Sequence, residues 1–394
     1  MAPALPPLDD PFGFDQLDLE WLRAKSGTKW HKHPGQLAAW VADMDFAPFA
    51  GLDDVLRRRA DAHDLGYPDW GYPNPRTPVC ELFSARASRR YGWTFDAAEV
   101  RELCDVTQGV QVALQLGTTR GDGVILHTPS YPPLWHALEH MGRRQVDVPA
   151  HIGSDGVSYD YDELEARLRS EPAQALLLCH PQNPTGHVFG RDELQRLAEI
   201  AERHDLLIIS DEIHADLTYA PARHVPIASL SPTVAARTVT IHSASKAFNV
   251  AGMRYAVAHV GPASLRAAWD ALPDHLLGAL NLIAVDVTEV AWREGDAWLD
   301  AVVAYLDRNR HWLRSLLAEH LPDLGYTPPE ATYLAWLDCR AMGDGDGPFE
   351  VFRGRSVQLT AGPDFGRGGD GFVRLNFATS ASILELVVRS MAGA

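Results

Sequence analysis

The chain has 394 residues, 46% of them apolar and 22% charged, the balance of a globular protein long enough to bury a large core without staples. Its formal charge of −17 repels phosphate backbones and argues against nucleic acid as a partner. Four dispersed cysteines (Cys80, Cys104, Cys179, Cys339) form no CxxC pair, the start Met1–Pro7 lacks a basic-then-apolar leader, and no run nears the roughly 18 apolar residues of a membrane span; a soluble, cytoplasmic protein with free thiols and no membrane partner is expected.

Residues 1–20, rich in Pro and Asp, read as a mobile lead-in. Residues 64–78 hold four prolines, two tyrosines and a tryptophan, which predicts a rigid loop rather than a helix or central strand. The segment Thr107–Gln111 precedes a helical run, Val112–Leu116. A helix start there would offer the N–H groups around Gly109 and Val110 to a phosphate. Val124–His127 reads as a strand, followed by Tyr131 in a Thr-Pro-Ser-Tyr-Pro turn, where an aromatic ring can stack on a planar ligand or simply pack.

Asp160 is placed to cap a helix through Leu168, Ala175–Cys179 forms a second strand, and Asn183-Pro184-Thr185-Gly186 a tight turn after it. The turn could present the Asn183 amide to a ring oxygen, or be a turn and nothing more. Residues 191–204 place Leu194, Leu197 and Ile200 on one helical face. The strand Leu206–Ser210 is followed by Asp211-Glu212-Ile213-His214. A carboxylate there can pair with a protonated ring nitrogen, or cap a helix or bind Mg²⁺; no phosphate-loop motif accompanies it. His214 lacks partners at zinc-motif spacing, and no metal is expected.

Arg237–His242 and Tyr255–Val260 are further strands, and between them lies Ser243-Ala244-Ser245-Lys246-Ala247-Phe248-Asn249. A lysine flanked by small residues at a strand end can be desolvated, lose its proton and form an imine with an aldehyde cofactor. Ser243 and Arg254 are placed to bind a phosphate. Taken alone, Lys246 could equally be a surface lysine. Residues 291–320 form a long amphipathic pattern, a spine leading into strands at 333–338 and 372–377, with an acidic turn at 343–347. Arg374 interrupts an apolar strand and so needs an anion, either an internal Asp or Glu or a substrate carboxylate.

Apolar strands alternating with amphipathic helices predict an α/β fold, with a mostly parallel sheet between helices in a large domain and a smaller α+β domain. Such sheets bind ligands beyond the carboxyl ends of their strands. The expected division is 1–50, contributing to the small domain; 51–290, the large domain; and 291–394, the linking helix and small domain.

The motifs Val41–Phe46 (VADMDF), Gly66-Tyr67, NPTG, DEIH, SASKAFN, ATYLAWLD at 331–338 and FVRLNFA resemble those of fold type I pyridoxal-phosphate enzymes. More closely, they are similar to the branch with the bacterial cystathionine β-lyases of the MalY/PatB type. The resemblance runs from about Trp30 to the C-terminus. It implies that Lys246 holds the cofactor as an imine, Asp211 pairs with its pyridine nitrogen, His214 joins the cofactor-binding set, Asn183 binds the ring oxygen and Tyr131 stacks on it. Gly109, Val110, Ser243 and Arg254 would hold the phosphate and Arg374 the substrate carboxylate. Tyr67 would reach the phosphate of a neighbouring subunit in a homodimer with shared sites. Trp30, His31 and Trp40 are candidate walls of the substrate pocket. The chain departs from the branch pattern at His31, His180, Gln182, His187 and Ala331. The expected reaction is β-elimination from a cysteine conjugate such as L-cystathionine, with Lys246 moving the proton and Lys246 or Tyr131 protonating the leaving sulfur; the alternative is an aminotransferase acting on a small amino acid.

Overall fold

A computed structural model describes residues 5–70, 76–153, 156–273, 275–343 and 347–393. Parts of the aromatic loop (71–75) and of the acidic turn (344–346) lie outside the described residues. In chain order the strands are β1 (Leu37–Ala38), β2 (Val100–Leu103), β3 (Gly123–Thr128), β4 (Arg144–Gly153), β5 (Gly156–Tyr159), β6 (Ala175–Cys179), β7 (Leu207–Asp211), β8 (Thr238–His242), β9 (Ala256–Val260), β10 (Leu334–Asp338), β11 (Val357–Gln358), β12 (Thr360–Ala361) and β13 (Phe372–Asn376).

The large sheet has the order β2-β9-β8-β7-β6-β3-β4-β5. Its centre, from β8 through β7, β6 and β3 to β4, is parallel, with antiparallel strands at both ends. The run Ala-Leu-Leu-Leu-Cys of β6 is buried throughout because both faces of the sheet are covered. Leu177 and Cys179 pack with Val110 and Leu114 of the helix Val106–Gly117 on one face. Leu176 and Leu178 pack with Leu194 and Leu197 of the helix Arg191–Arg203 on the other. The same two-residue alternation turns Ile209 to the first face and Ile208 to the second. Asp160 caps Tyr161–Leu168 by accepting the Glu163 N–H.

The second layer is a three-stranded antiparallel sheet, β10-β13-β12, in which Trp336 and Thr360 both pair with Arg374. β1 pairs in parallel with β11, so the segment around Leu37 packs with the C-terminal elements. The whole is an α/β architecture, with a large mixed sheet between helices and a smaller α+β layer. Among the described residues no helix is long and apolar enough to cross a membrane.

Three expectations need correction. The lead-in is docked from Phe14 onward. The Phe14 ring is buried against Phe46 and Tyr305, and Asp15 binds Tyr305 and Arg308 (2.9 Å to the latter). The pattern at 291–320 is two helices, Leu282–Glu294 and Asp296–His320. Between them a side chain on Gly295 would come within 2.5 Å of the Phe248 ring, so this turn lies directly on the core. The third concerns Gly109 and is described with the site.

Candidate active site

The parallel strands end side by side, and each delivers a polar group just past its carboxyl end. β3 leads to Tyr131, β6 to Asn183, β7 ends in Asp211, and β8 leads to Ser243 and Lys246. Tyr131, Cys179, Asn183, Asp211, Ile213, His214, Ser243, Ser245, Lys246 and Arg254 line one cavity of about 160 Å³, with Ala42 from the N-terminal segment.

Lys246 Nζ donates to the Ala42 carbonyl at 2.7 Å and lies 3.9 Å from an Asp43 carboxylate oxygen. Burial draws its pKa below the usual lysine range; Asp43 and Asp211 oppose this and Arg374 adds to it. Asp211 accepts the Ile213 N–H at 3.1 Å. Burial raises its carboxyl to about 7, against the help of that N–H and of Lys246. Buried His214 is lowered to about 3, by desolvation and then by Lys246 and Arg374, and is a neutral ring at physiological pH. Burial raises the Tyr131 phenol, which Arg374 partly offsets.

Arg374, on β13, meets the cavity wall at Asn183. Its Nη1 donates to the Asn183 amide oxygen at 2.9 Å and its Nη2 to the Trp40 carbonyl at 3.0 Å. It stands over the Phe365 ring, 4.9 Å from the centroid. Its Nε is buried without a partner. Burial lowers it to about 10, so it stays charged at neutral pH. Among the described residues it forms no ion pair, and Asp364 offsets only part of the cost of burying it.

At the other end Ser243 Oγ donates to the Tyr255 carbonyl at 2.6 Å and accepts the Ser245 N–H. Arg254, largely exposed and in the left-handed backbone region, pairs with Asp105. Asp105 caps the helix Val106–Gly117 by accepting the Gln108 N–H. The helix therefore begins earlier than its apolar pattern suggests. Gly109 N–H is spent on the Asp105 carbonyl at 3.2 Å, and Gly109 and Val110 are buried. The N–H groups with no carbonyl one turn back are those of Val106 and Thr107, and both residues line the cavity. Gly109 serves close packing instead: a Cβ there would meet Leu103 at 2.9 Å and Ile241 at 3.1 Å.

The remaining sequence candidates lie elsewhere. Trp30 is a core residue whose indole N–H donates to buried Asp45 at 2.7 Å, and His31 is exposed. The Trp40 indole donates to the Lys29 carbonyl at 2.9 Å; its backbone, not its ring, meets Arg374. These indoles are turned away because the polypeptide from Lys29 to Asp45 folds on itself and uses them as internal donors. Tyr67 is fully exposed and outside the cavity. Sequence reasoning missed Ala42, Asp43, Tyr333 and Asn376. Tyr333 Oη donates to the Ala42 carbonyl at 2.8 Å, and Asn376 Nδ2 to those of Val41 and Asp43. Their signal was in the VADMDF, ATYLAWLD and FVRLNFA motifs, which carry no chemistry legible without their partners.

These groups fit pyridoxal phosphate: an amine of reduced basicity, an acid whose charge burial disfavours until a cation faces it, free N–H groups with hydroxyls and a guanidinium for a phosphate, and an unmatched buried guanidinium for a carboxylate.

Comparison with known proteins agrees. Residues 50–390 match the family model of aminotransferase class I and II. Cystathionine beta-lyase PatB of Bacillus subtilis is 32% identical over 352 residues, 89% of this chain and 90% of that protein. The crystal structure of OvoB superposes with a TM-score of 0.86 at 33% identity, covering 94% and 96% of the two chains. The pyridoxal-phosphate-bound C-S lyase of Staphylococcus hominis superposes with a TM-score of 0.87 at 27% identity, covering 96% and 98%. Pyridoxal 5'-phosphate is the cofactor of this chain, which is an enzyme of the aminotransferase and C-S lyase type. With the motifs, the sheet order and the cavity in agreement, the chain belongs to the aminotransferase class I and II family of fold type I pyridoxal-phosphate enzymes, closely related to the MalY/PatB C-S lyase branch.

Proposed function

We propose that the enzyme is a carbon–sulfur β-lyase that cleaves L-cystathionine or a related cysteine conjugate to a thiol, pyruvate and ammonia. The observation that carries this reading is the Arg374 guanidinium, without an ion pair among the described residues and bonded to Asn183 of the cavity that holds the Lys246 amine. The likeness to PatB over 89% of the chain supports elimination over amino transfer.

Arg374 takes the α-carboxylate, its orientation held by Asn183 and the Trp40 carbonyl. When bound, the cofactor would supply an electron sink for the carbon acid. Asp211, whose charge burial disfavours, would hold the proton on the ring nitrogen, an ion pair that would compensate its burial. Lys246 Nζ removes the Cα proton and delivers a proton to the departing sulfur.

The phosphate end is assigned to Ser243, Arg254 and the helix start at Val106 and Thr107. A homodimer completes the proposal: Tyr67, fully exposed on its own subunit, would reach the phosphate of the partner's site.

Incubation with L-cystathionine, with and without an α-keto acid, tests the reading. Pyruvate and a free thiol are expected without any keto acid. Strict dependence on the acceptor with no thiol released would replace it with amino transfer.

A further inference from the structure

The segment 40–46 is held at nearly every carbonyl. Asn376 Nδ2 donates to Val41 (2.6 Å) and Asp43 (2.7 Å), Lys29 to Asp43 (3.0 Å), Tyr333 to Ala42 (2.8 Å), and Asn249 to Met44 (3.0 Å) and Phe46 (2.9 Å). Such a strap has little freedom of its own. It touches both working ends of the site, Arg374 through the Trp40 carbonyl and Lys246 through the Ala42 carbonyl. The one carboxylate it presents to Lys246 is that of Asp43. Among the described residues this carboxylate makes no hydrogen bond, and the cation it meets is Lys246, at 3.9 Å.

We propose that Asp43 is a positioning residue that holds the proton on Lys246 Nζ between its removal from Cα and its delivery to sulfur. This rests on the reading of Lys246 as the proton carrier of a β-elimination. In that step the Cα–H bond gives its proton to Nζ, the Cβ–S bond breaks with its electron pair on sulfur, and Nζ returns a proton to sulfur; no oxidant or reductant is needed. Nζ also feels Asp211 from β7, Arg374 from β13 and His214, shares the Ala42 carbonyl with the Tyr333 phenol and lines the same cavity as Tyr131. Asp211 is engaged by the ring nitrogen in this scheme, and Arg374 works against a proton on Nζ. Asp43 is then the group left to compensate a charged amine in a buried site. A neutral amine would return its proton poorly; a paired ammonium keeps it within reach of the leaving group.

The test is a pH titration of the holoenzyme followed by the absorbance of the Lys246–cofactor linkage, whose band moves when the nitrogen loses its proton. In Asp43→Asn the midpoint is expected to fall by about one pH unit, a tenfold weaker hold on the proton, and Asp43→Glu to recover most of the shift. The strap is held through backbone carbonyls, so these side-chain changes leave it in place; Asp43→Ser is the second neutral variant. An unchanged midpoint in both neutral variants would overturn the assignment. So would loss of the cofactor band in both, which would make Asp43 a folding residue. The titration needs no substrate. A shifted midpoint with no thiol released from any conjugate supports Asp43 and counts against the lyase reading; thiol release with an unmoved midpoint does the reverse.

Discussion

Arg374 and Asn183 are joined by a 2.9 Å hydrogen bond between a guanidinium and an amide oxygen, and the guanidinium forms no ion pair among the described residues. An internal ion pair would have satisfied Arg374 and removed it from function. A neutral amide orients it while leaving its charge unspent, and in the proposed reaction a substrate carboxylate would supply the missing anion.

Arg374→Lys keeps the charge but loses the planar fork. The Michaelis constant for a cysteine conjugate is expected to rise about 10- to 100-fold, equivalent to roughly 1.4–2.7 kcal/mol of binding, with a smaller fall in kcat. Steady-state kinetics on an S-alkyl cysteine check this; an unchanged Michaelis constant would remove Arg374 from substrate binding.

Asp211 makes the cofactor-free protein pH-sensitive. Its carboxyl rises from an ordinary 3.8 to about 7 when buried. Between those values the folded chain holds a proton that the unfolded chain has released. Stability contributed by this residue is therefore lost as pH rises through that window and stays lost above it. Denaturant unfolding of the apoenzyme is expected to show this decline, and Asp211→Asn to flatten it. The same variant is expected to lose about 10²–10⁴-fold in turnover, as a neutral amide cannot keep the ring nitrogen protonated.

Trp30 is structural in this fold. Trp30→Phe leaves one buried Asp45 oxygen without its indole donor, although Lys29 remains 2.9 Å from the same oxygen. A loss of about 1–3 kcal/mol in unfolding free energy is expected, with the ranking of cysteine conjugates unchanged. A changed ranking at equal stability would restore Trp30 to the pocket wall.

Gly109→Ala forces a methyl into Leu103 and Ile241. Leu103 can turn its end aside, but Ile241 sits on a buried central strand. The expected cost is about 1–3 kcal/mol, together with weaker cofactor binding as the helix start moves off the phosphate position. Calorimetry and cofactor titration of the variant read the two effects separately.

Much of the fold was legible in the sequence for a physical reason. Strands buried on both faces are mostly apolar, so Ala175–Cys179 and its neighbours stand out, and the polar residues that follow them mark the ligand end of the sheet. What was not legible depends on long-range partners. The indole of Trp30 looks the same in a pocket wall as beside Asp45, 15 residues away. The start of the helix at Val106 is set by an Asp105 cap, not by the apolar run further along. Residues 14–15 seemed free because their anchors, Tyr305 and Arg308, lie some 290 residues later. Asp43 and Ala42 belong to the site only because β13 and β10 bring Asn376 and Tyr333 beneath them.

The covalent role of Lys246 is tested most directly by borohydride reduction of the holoenzyme followed by peptide mass mapping. One equivalent of reduced pyridoxyl phosphate is expected on the peptide bearing Lys246, and none on any peptide of Lys246→Ala. A protein that binds the aldehyde yet yields no adduct at Lys246, or carries it on another lysine, would contradict the account at its root.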